Sequence, residues 1–309
     1  MAGVVAIGEC MGELSLTLPD KGGGGAARIG YAGDTYNTAV YLARLGLKVS
    51  YASAVGQGDP FSAGILGALA EEGIGAELVV QAAGRLPGLY AIQRDAAGER
   101  SFFFWRNQSP ARDYFSLMDL GVLGAALNAA DLIMVSAISL AVVGEAGRAA
   151  LLALLADASA AGAAVAFDTN YRLSLWPGPD VGRAAIEAAL PFARYLSLSE
   201  ADVAAFQGGD AAAMAQTWAG RGVEVVLRRD DHRIEVLSAA GTEVFAPGPP
   251  ITAVDTTGAG DSFNAGYLAS RLAGRPVADA VSAGRNLASV VVRHPGAIIP
   301  RAEMPNLAV

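Results

Sequence analysis

Apolar positions along the chain repeat with two periods. Short continuous runs at 4–7, 78–80, 132–135, 163–167, 195–198 and 223–227 have the length and composition of strands buried on both faces. Between them, apolar residues spaced by three and four predict helices over 145–161, from about 181, over 200–206, 211–219 and 278–291. The punctuation agrees. Asp59 and Pro60 read as N-cap and first residue of a helix that Gly73 closes, and Gly46 and Gly162 stop two others. Strand and helix in alternation predict an α/β fold, with a mostly parallel sheet covered on both faces. Ligands of such sheets sit beyond the strand C-termini, where residues 168–172 and 254–267 fall.

Two regions break this rhythm with a period of two. Residues 8–18 alternate polar and apolar as a half-exposed strand does, and the glycines at 22–25 make a turn tip. Residues 86–93 and 101–107 flank a tight turn at 95–99 and read as a β-hairpin. Its run Phe102, Phe103, Phe104, Trp105 has two possible destinations: the core of its own domain, or a lid that also pairs with another subunit.

At 309 residues the chain suffices for one large α/β domain or two smaller ones. With 53% hydrophobic and 17% charged residues it can build a large core. A net charge of −8 argues against a nucleic-acid partner, and an anionic substrate would need local Arg or Lys. One cysteine, Cys10, excludes an internal disulfide and a cysteine-cluster metal site. Met1 leads into an apolar strand with no basic segment, and no apolar run reaches the roughly 20 residues of a membrane span, so a soluble cytoplasmic protein is expected.

The candidate chemistry gathers in Asp255-Thr256-Thr257-Gly258-Ala259-Gly260-Asp261. Turn residues precede it, and Phe263, Tyr267, Leu268 and Leu272 follow at helical spacing, so the glycines open a helix. Gly258 and Gly260 lack the Cβ that would keep an anion from the backbone N–H groups, and the helix dipole favours negative charge there. Asp261 on the same helix would repel a phosphate unless it has a task, such as accepting the proton of a hydroxyl that attacks a γ-phosphoryl group. A glycine turn followed by an N-capping Asp accounts for the same residues. No G-x-x-x-x-G-K-[ST] occurs, so a P-loop is excluded.

This string resembles the D-T-x-G-A-G-D signature of the PfkB (ribokinase-like) carbohydrate kinases, and every position of it is filled. The resemblance implies a three-layer αβα sandwich with a mostly parallel central sheet and a small β-strand lid. It implies one kinase domain over 1–309, with the lid inserted at about 11–33 and 85–107 and serving as a homodimer interface. It makes Gly258, Ala259 and Gly260 the anion hole and Asp261 the catalytic base. The family's G-G-D-x-x-N-x-A, whose Gly, Asp and Asn hold substrate hydroxyls, appears with Ala32 in first place and Gly33, Asp34 and Asn37 matching. ATP and Mg²⁺ are the implied cofactors, with K⁺ an open addition. Asn170, Ser197, Arg228, Gly258 and Gly260 fall on nucleotide-side positions. The family's magnesium-linked N-x-x-E reads Ser197 to Glu200, which makes Glu200 the metal candidate, directly or through water. His232 and His294 are lone histidines in turns and read as structural.

Four stretches are similar to the 2-keto-3-deoxygluconate (KDG) kinases in particular: 8–15, 85–107, 168–176 and 296–301. A sugar acid carries a carboxylate, which a guanidinium binds through paired, charge-assisted hydrogen bonds. Arg106 and Arg172 are the cations at matching positions, Tyr90 offers a hydroxyl, and Phe104 lines the same site. Phe103 and Phe104 stand where KDG kinases often have tyrosine, and Arg228-Arg229-Asp230-Asp231-His232 replaces a loop that usually carries glycine. ATP-dependent phosphorylation of KDG at its terminal hydroxyl is therefore expected. The rivals are a kinase of the same family for fructose, another ketose or the galactonate epimer; a sugar-binding regulator without turnover; and a non-enzymatic interaction domain that uses the aromatic hairpin.

Overall fold

The computed structural model describes residues 3–17, 24–94 and 100–307. In chain order its strands are β1 (Gly3–Ile7), β2 (Met11–Thr17), β3 (Ala26–Ala32), β4 (Lys48–Gln57), β5 (Val79–Ala83), β6 (Leu89–Arg94), β7 (Arg100–Trp105), β8 (Leu132–Ser136), β9 (Ala164–Asp168), β10 (Ala193–Ser199), β11 (Glu224–Arg228), β12 (Ile234–Ser238) and β13 (Gly241–Phe245). Nine of them form one sheet in the order β13-β12-β11-β10-β9-β8-β1-β4-β5. From β11 to β5 all neighbours are parallel, while β12 and β13 add an antiparallel edge.

Alternation along each strand divides the interior into two cores. Val5, Ile7, Ile133, Val135, Val165 and Phe167 enter one, with the helices Gly144–Ala160 and Pro179–Ala189 over them. Val4, Ala6, Leu132, Met134 and Ala166 enter the other, under the helices Asp34–Arg44, Ala259–Leu272 and Val277–Val291. Each fully buried aliphatic side chain is worth about 1.5–3 kcal/mol of transfer free energy, so these apolar residues dominate both cores. The helix Pro60–Glu71 starts as the sequence predicts: the Asp59 carboxylate accepts from the Phe61 and Ser62 amides at 3.0 and 2.9 Å. No helix among the described residues is long and apolar enough to cross a membrane.

The second sheet, ordered β3-β2-β6-β7, is built from the segments 11–33 and 85–107 in which the lid is expected. β2 pairs antiparallel with β3 and parallel with β6, and β6 and β7 form the expected hairpin. The turn at 95–99 and part of the 22–25 tip lie outside the described residues. Met11, Ala32, Tyr90 and Ile92 make a small core of the lid's own. Phe102, Phe103, Phe104 and Trp105 are 43–61% exposed, so the aromatic hairpin does not enter the core of its own chain.

Several elements have no counterpart in the hydrophobic pattern. β4 is interrupted by Ser50 and Ser53, and Ser53 is nonetheless buried in the sheet. β13 is an exposed edge strand, and the helix Leu120–Asn128 contains two glycines. The strand predicted from residue 8 begins only at Met11, because residues 8–10 turn the chain out of the main sheet into the lid.

Candidate active site

The helix Ala259–Leu272 starts at Gly258, whose φ of +77° is left-handed. That conformation favours glycine, and a Cβ there would also stand 2.7 Å from the Ala297 carbonyl oxygen. Asp255 shapes the loop: its carboxylate accepts from the Thr257 amide at 2.9 Å, the Thr257 hydroxyl at 2.7 Å and the Gly296 amide at 3.1 Å. Ala259 N–H bonds to Thr256 at 3.3 Å, whereas the amides of Gly258, Gly260 and Asp261 have no backbone partner among the described residues. A Cβ on Gly260 would lie 2.9 Å from Nη1 of Arg228, so this guanidinium stands over the loop. Unpaired amides, the positive end of a helix and a guanidinium together make an anion site. The side chain that would cap the helix is missing, since Gly258 holds the N-cap and Asp261 lies inside the first turn. The N-capping explanation of Asp261 therefore fails.

Asp261 meets the second predicted cluster. Asn37 Nδ2 donates to Asp261 Oδ2 at 2.7 Å, and the Thr38 hydroxyl donates to the Asp261 carbonyl at 3.3 Å. Asp34, Thr35 and Asn37 lie in the first turn of Asp34–Arg44, with Gly33 as N-cap. Gly33 is glycine because a Cβ would collide with the Glu9 carbonyl oxygen. From the loop that follows β9, Asn170 Nδ2 donates to Asp34 Oδ2 at 3.1 Å. Asp168, the last residue of β9, accepts from Asn264 at 2.9 Å and faces Arg228 at 3.4 Å.

Three carboxylates, Asp34, Asp168 and Asp261, thus share one cleft. Burial first, and then the charge of Asp34, push the Asp261 carboxyl up to about 8, against the opposing pull of the Asn37 hydrogen bond. Burial pushes Asp168 up to about 6, with Arg228 pulling it down and Asp202 and Asp34 pushing it up. An acid whose proton affinity lies near neutrality is poised for proton transfer.

The remaining predicted residues are distributed around this centre. Tyr90 is buried, donates its hydroxyl to Glu13, and stacks on Phe104 at 5.6 Å. Arg106 is also buried, and its Nε and Nη2 both bind one carboxylate oxygen of Glu9, the Nε bond being 2.8 Å. Arg172 is exposed, with Nη1 donating to the Tyr171 carbonyl at 3.2 Å. Ser197 sits on β10 in register with Asp168. Glu200 is engaged elsewhere, since it accepts from the Asp230 amide at 2.7 Å and faces Arg229 at 3.3 Å.

Glu9, Glu13, Asp202 and Asn264 were not singled out as site residues. Asp202 accepts from the Thr169 hydroxyl at 2.8 Å and the Tyr171 amide at 3.1 Å, and so holds the 168–172 loop. In sequence each is an ordinary polar residue of a strand or helix. The only signal is a polar residue inside an apolar period, as with Asn264 between Phe263 and Ala265.

The profile of the pfkB family carbohydrate kinases matches residues 1–304. The chain belongs to this family. It is a sugar kinase, and Asp261 with the amides before it fall on the family signature. A 2-dehydro-3-deoxygluconokinase of Dickeya dadantii is 38% identical over 98% of both chains, and one of Escherichia coli K12 is 37% identical over the same shares. A Klebsiella pneumoniae fructokinase is 31% identical over 80% of this chain and 78% of its own. Among solved structures, a PfkB protein from Polaromonas sp. JS666 superposes with a TM-score of 0.81 at 26% identity, covering 98% of this kinase and 99% of that chain. A 2-dehydro-3-deoxygluconokinase from Thermotoga maritima has a TM-score of 0.82 at 20% identity, over 97% and 96% of the two chains. The expected ribokinase-like fold is thereby borne out.

Proposed function

We propose that this kinase transfers the γ-phosphoryl group of ATP to the terminal hydroxyl of 2-dehydro-3-deoxygluconate, which is KDG. The observation that carries the reading is the full-length likeness to 2-dehydro-3-deoxygluconokinases, at 38% identity in the nearer of the two described above. The site is consistent with it. Gly33, Asp34 and Asn37 hold hydroxyls, and Asn37 also aims the Asp261 carboxylate through its 2.7 Å bond. Asp261 takes the proton of the attacking hydroxyl, a step worth typically about 10² to 10⁴ in rate. The amides of Gly258 to Asp261 and the Arg228 guanidinium receive the charge that develops on the transferred group, with Asn170 and Ser197 on the nucleotide side.

Arg172 is the cation exposed for the substrate carboxylate. Arg106 is already neutralised by Glu9 and contributes its unshared nitrogen from the lid, beside Tyr90 and Phe104. Among the described residues no group of three acidic, histidine or cysteine side chains assembles into a metal cage. Mg²⁺ is typically held by one or two carboxylates and the substrate's own phosphates. Asp168 is the carboxylate at the phosphate end of the cleft, and Glu200 would reach the ion through water. When bound, the ion neutralises phosphate charge. The exposed lid aromatics are read as a homodimer interface.

A second reading is favoured by one observation: with Arg106 paired to Glu9, its guanidinium presents no unbalanced positive charge to a neutral ketose such as fructose. An ADP-release assay across KDG, its galactonate epimer, fructose, ribose and adenosine separates the two. Turnover is expected on KDG, abolished by Asp261→Ala and reduced at least tenfold in kcat/KM by Arg172→Leu. Turnover confined to fructose, or indifference to Arg172→Leu, would overturn the sugar-acid reading.

A further inference from the structure

The helix that carries Asp34 and Asn37 has, one turn beyond Asn37, a tyrosine whose polar atom meets only the chain's own backbone. Tyr41 is fully buried, yet its hydroxyl has two partners: it donates to the Ala297 carbonyl at 2.7 Å and accepts from the Ile299 amide at 3.1 Å. Arg44, on the same helix, donates to the Ile299 carbonyl at 2.7 Å. The other side of this C-terminal segment leans on the anion loop. Gly296 N–H donates to Asp255 at 3.1 Å, and the Ala297 backbone occupies the space in which a Cβ on Gly258 would lie.

We propose that Tyr41 is a positioning residue for phosphoryl transfer, which holds the 296–299 segment as a spacer between the sugar-binding helix and the anion loop. Two links then join the halves of the site. Asn37 to Asp261 closes the front, and Tyr41 through Ala297 to Gly258 closes the back. The front link fixes the base on the sugar, while the back link fixes the amides relative to that base. In-line transfer depends on both, because a misplacement of about 1 Å costs on the order of 10²-fold in rate. The chemistry of the side chain supports the assignment. Packing alone would be served by phenylalanine, and a desolvated hydroxyl is costly unless hydrogen-bonded. Burial pushes the Tyr41 hydroxyl up to about 12, so at working pH it keeps the proton that it donates to Ala297. The inference rests on sugar-kinase activity, not on the identity of the sugar.

Tyr41→Phe removes one oxygen atom and keeps the ring. With whichever sugar the wild type phosphorylates, kcat is expected to fall about tenfold with the sugar KM unchanged within twofold. Calorimetric affinity for AMP-PNP with Mg²⁺ is expected to fall about fivefold, while affinity for the sugar stays. Ala297→Gly, which loosens the spacer without touching the tyrosine, should give the same split at smaller size and serves if Tyr41→Phe does not fold. Glu303→Ala, in an exposed residue just past the segment, should leave kcat alone. Wild-type kcat and AMP-PNP affinity in Tyr41→Phe would overturn the proposal whatever the melting temperature, as would equal losses for sugar and nucleotide. If the wild type turned over no sugar, the KDG reading would fall and the AMP-PNP measurement would still decide this one.

Discussion

Asp261→Asn tests base, burial and neighbouring charge together. In the free kinase the Asp261 carboxyl is pushed from 3.8 up to about 8, chiefly by burial and then by Asp34. Because the folded state holds this proton more tightly than the unfolded chain, the resulting stability is complete below about pH 4. It is lost as pH rises through about 8. At about 1.4 kcal/mol per unit, a shift of about 4 units sets a ceiling near 6 kcal/mol. Part of the residue faces the open cleft, and water there screens the charge, so on the order of 1–2 kcal/mol is the reasonable size. Asparagine cannot ionise and escapes the loss. Chemical unfolding of both proteins from pH 5 to 9 should show Asp261→Asn gaining on the wild type as pH rises. The gain should level above about pH 8, at roughly 2–4 °C if read as a melting temperature. Activity moves the opposite way: kcat falls by about 10² to 10⁴, and wild-type kcat/KM climbs with pH toward a plateau above about 8. An advantage that is flat with pH, or that shrinks as pH rises, would refute the argument that this carboxylate is charged at a cost.

The other predictions concern the loop and the lid. Gly258→Ala forces a left-handed residue and presses a methyl against the Ala297 carbonyl, so it should cost about 1–2 kcal/mol in unfolding free energy and lower kcat at least tenfold. By contrast Gly260→Ala meets only the movable end of Arg228, so it should leave the melting temperature within about 2 °C and act on kcat alone. The proposed homodimer predicts that the wild type sediments as a dimer and that Trp105→Glu, at a position 61% exposed, sediments as a monomer; a monomeric wild type or an unchanged profile would refute the proposed interface.

Much of the fold could be read from the chain because buried parallel strands leave an unambiguous mark. Runs such as 132–135 and 163–167 are apolar on both faces, and those are β8 and β9, the centre of the sheet. The elements that escaped are those whose burial is one-sided or mixed: β4 with its serines, and the polar edge strand β13. Residues 34–37 could be placed near a helix, but whether they cap it or work from its first turn depends on backbone geometry that no periodicity encodes.

The sequence by itself determined the class of chemistry. A glycine pair before an acid at a helix start fits an N-capping turn as well as a catalytic base, and the resemblance of the whole string 255–261 to the PfkB signature is what points to phosphoryl transfer. Tertiary structure decided which groups surround it. Asn37 and Asp261 lie 224 residues apart and meet at 2.7 Å, and Arg228 arrives from the end of β11. It also separated the two arginines, which look equivalent as residues: Glu9 buries with Arg106 and neutralises it, while Arg172 stays open to solvent. The physical reason is that charge and desolvation act over a few ångströms of space. Residue type is local, whereas the neighbours that set a carboxyl's proton affinity or pair a guanidinium come from strands brought together only by the sheet.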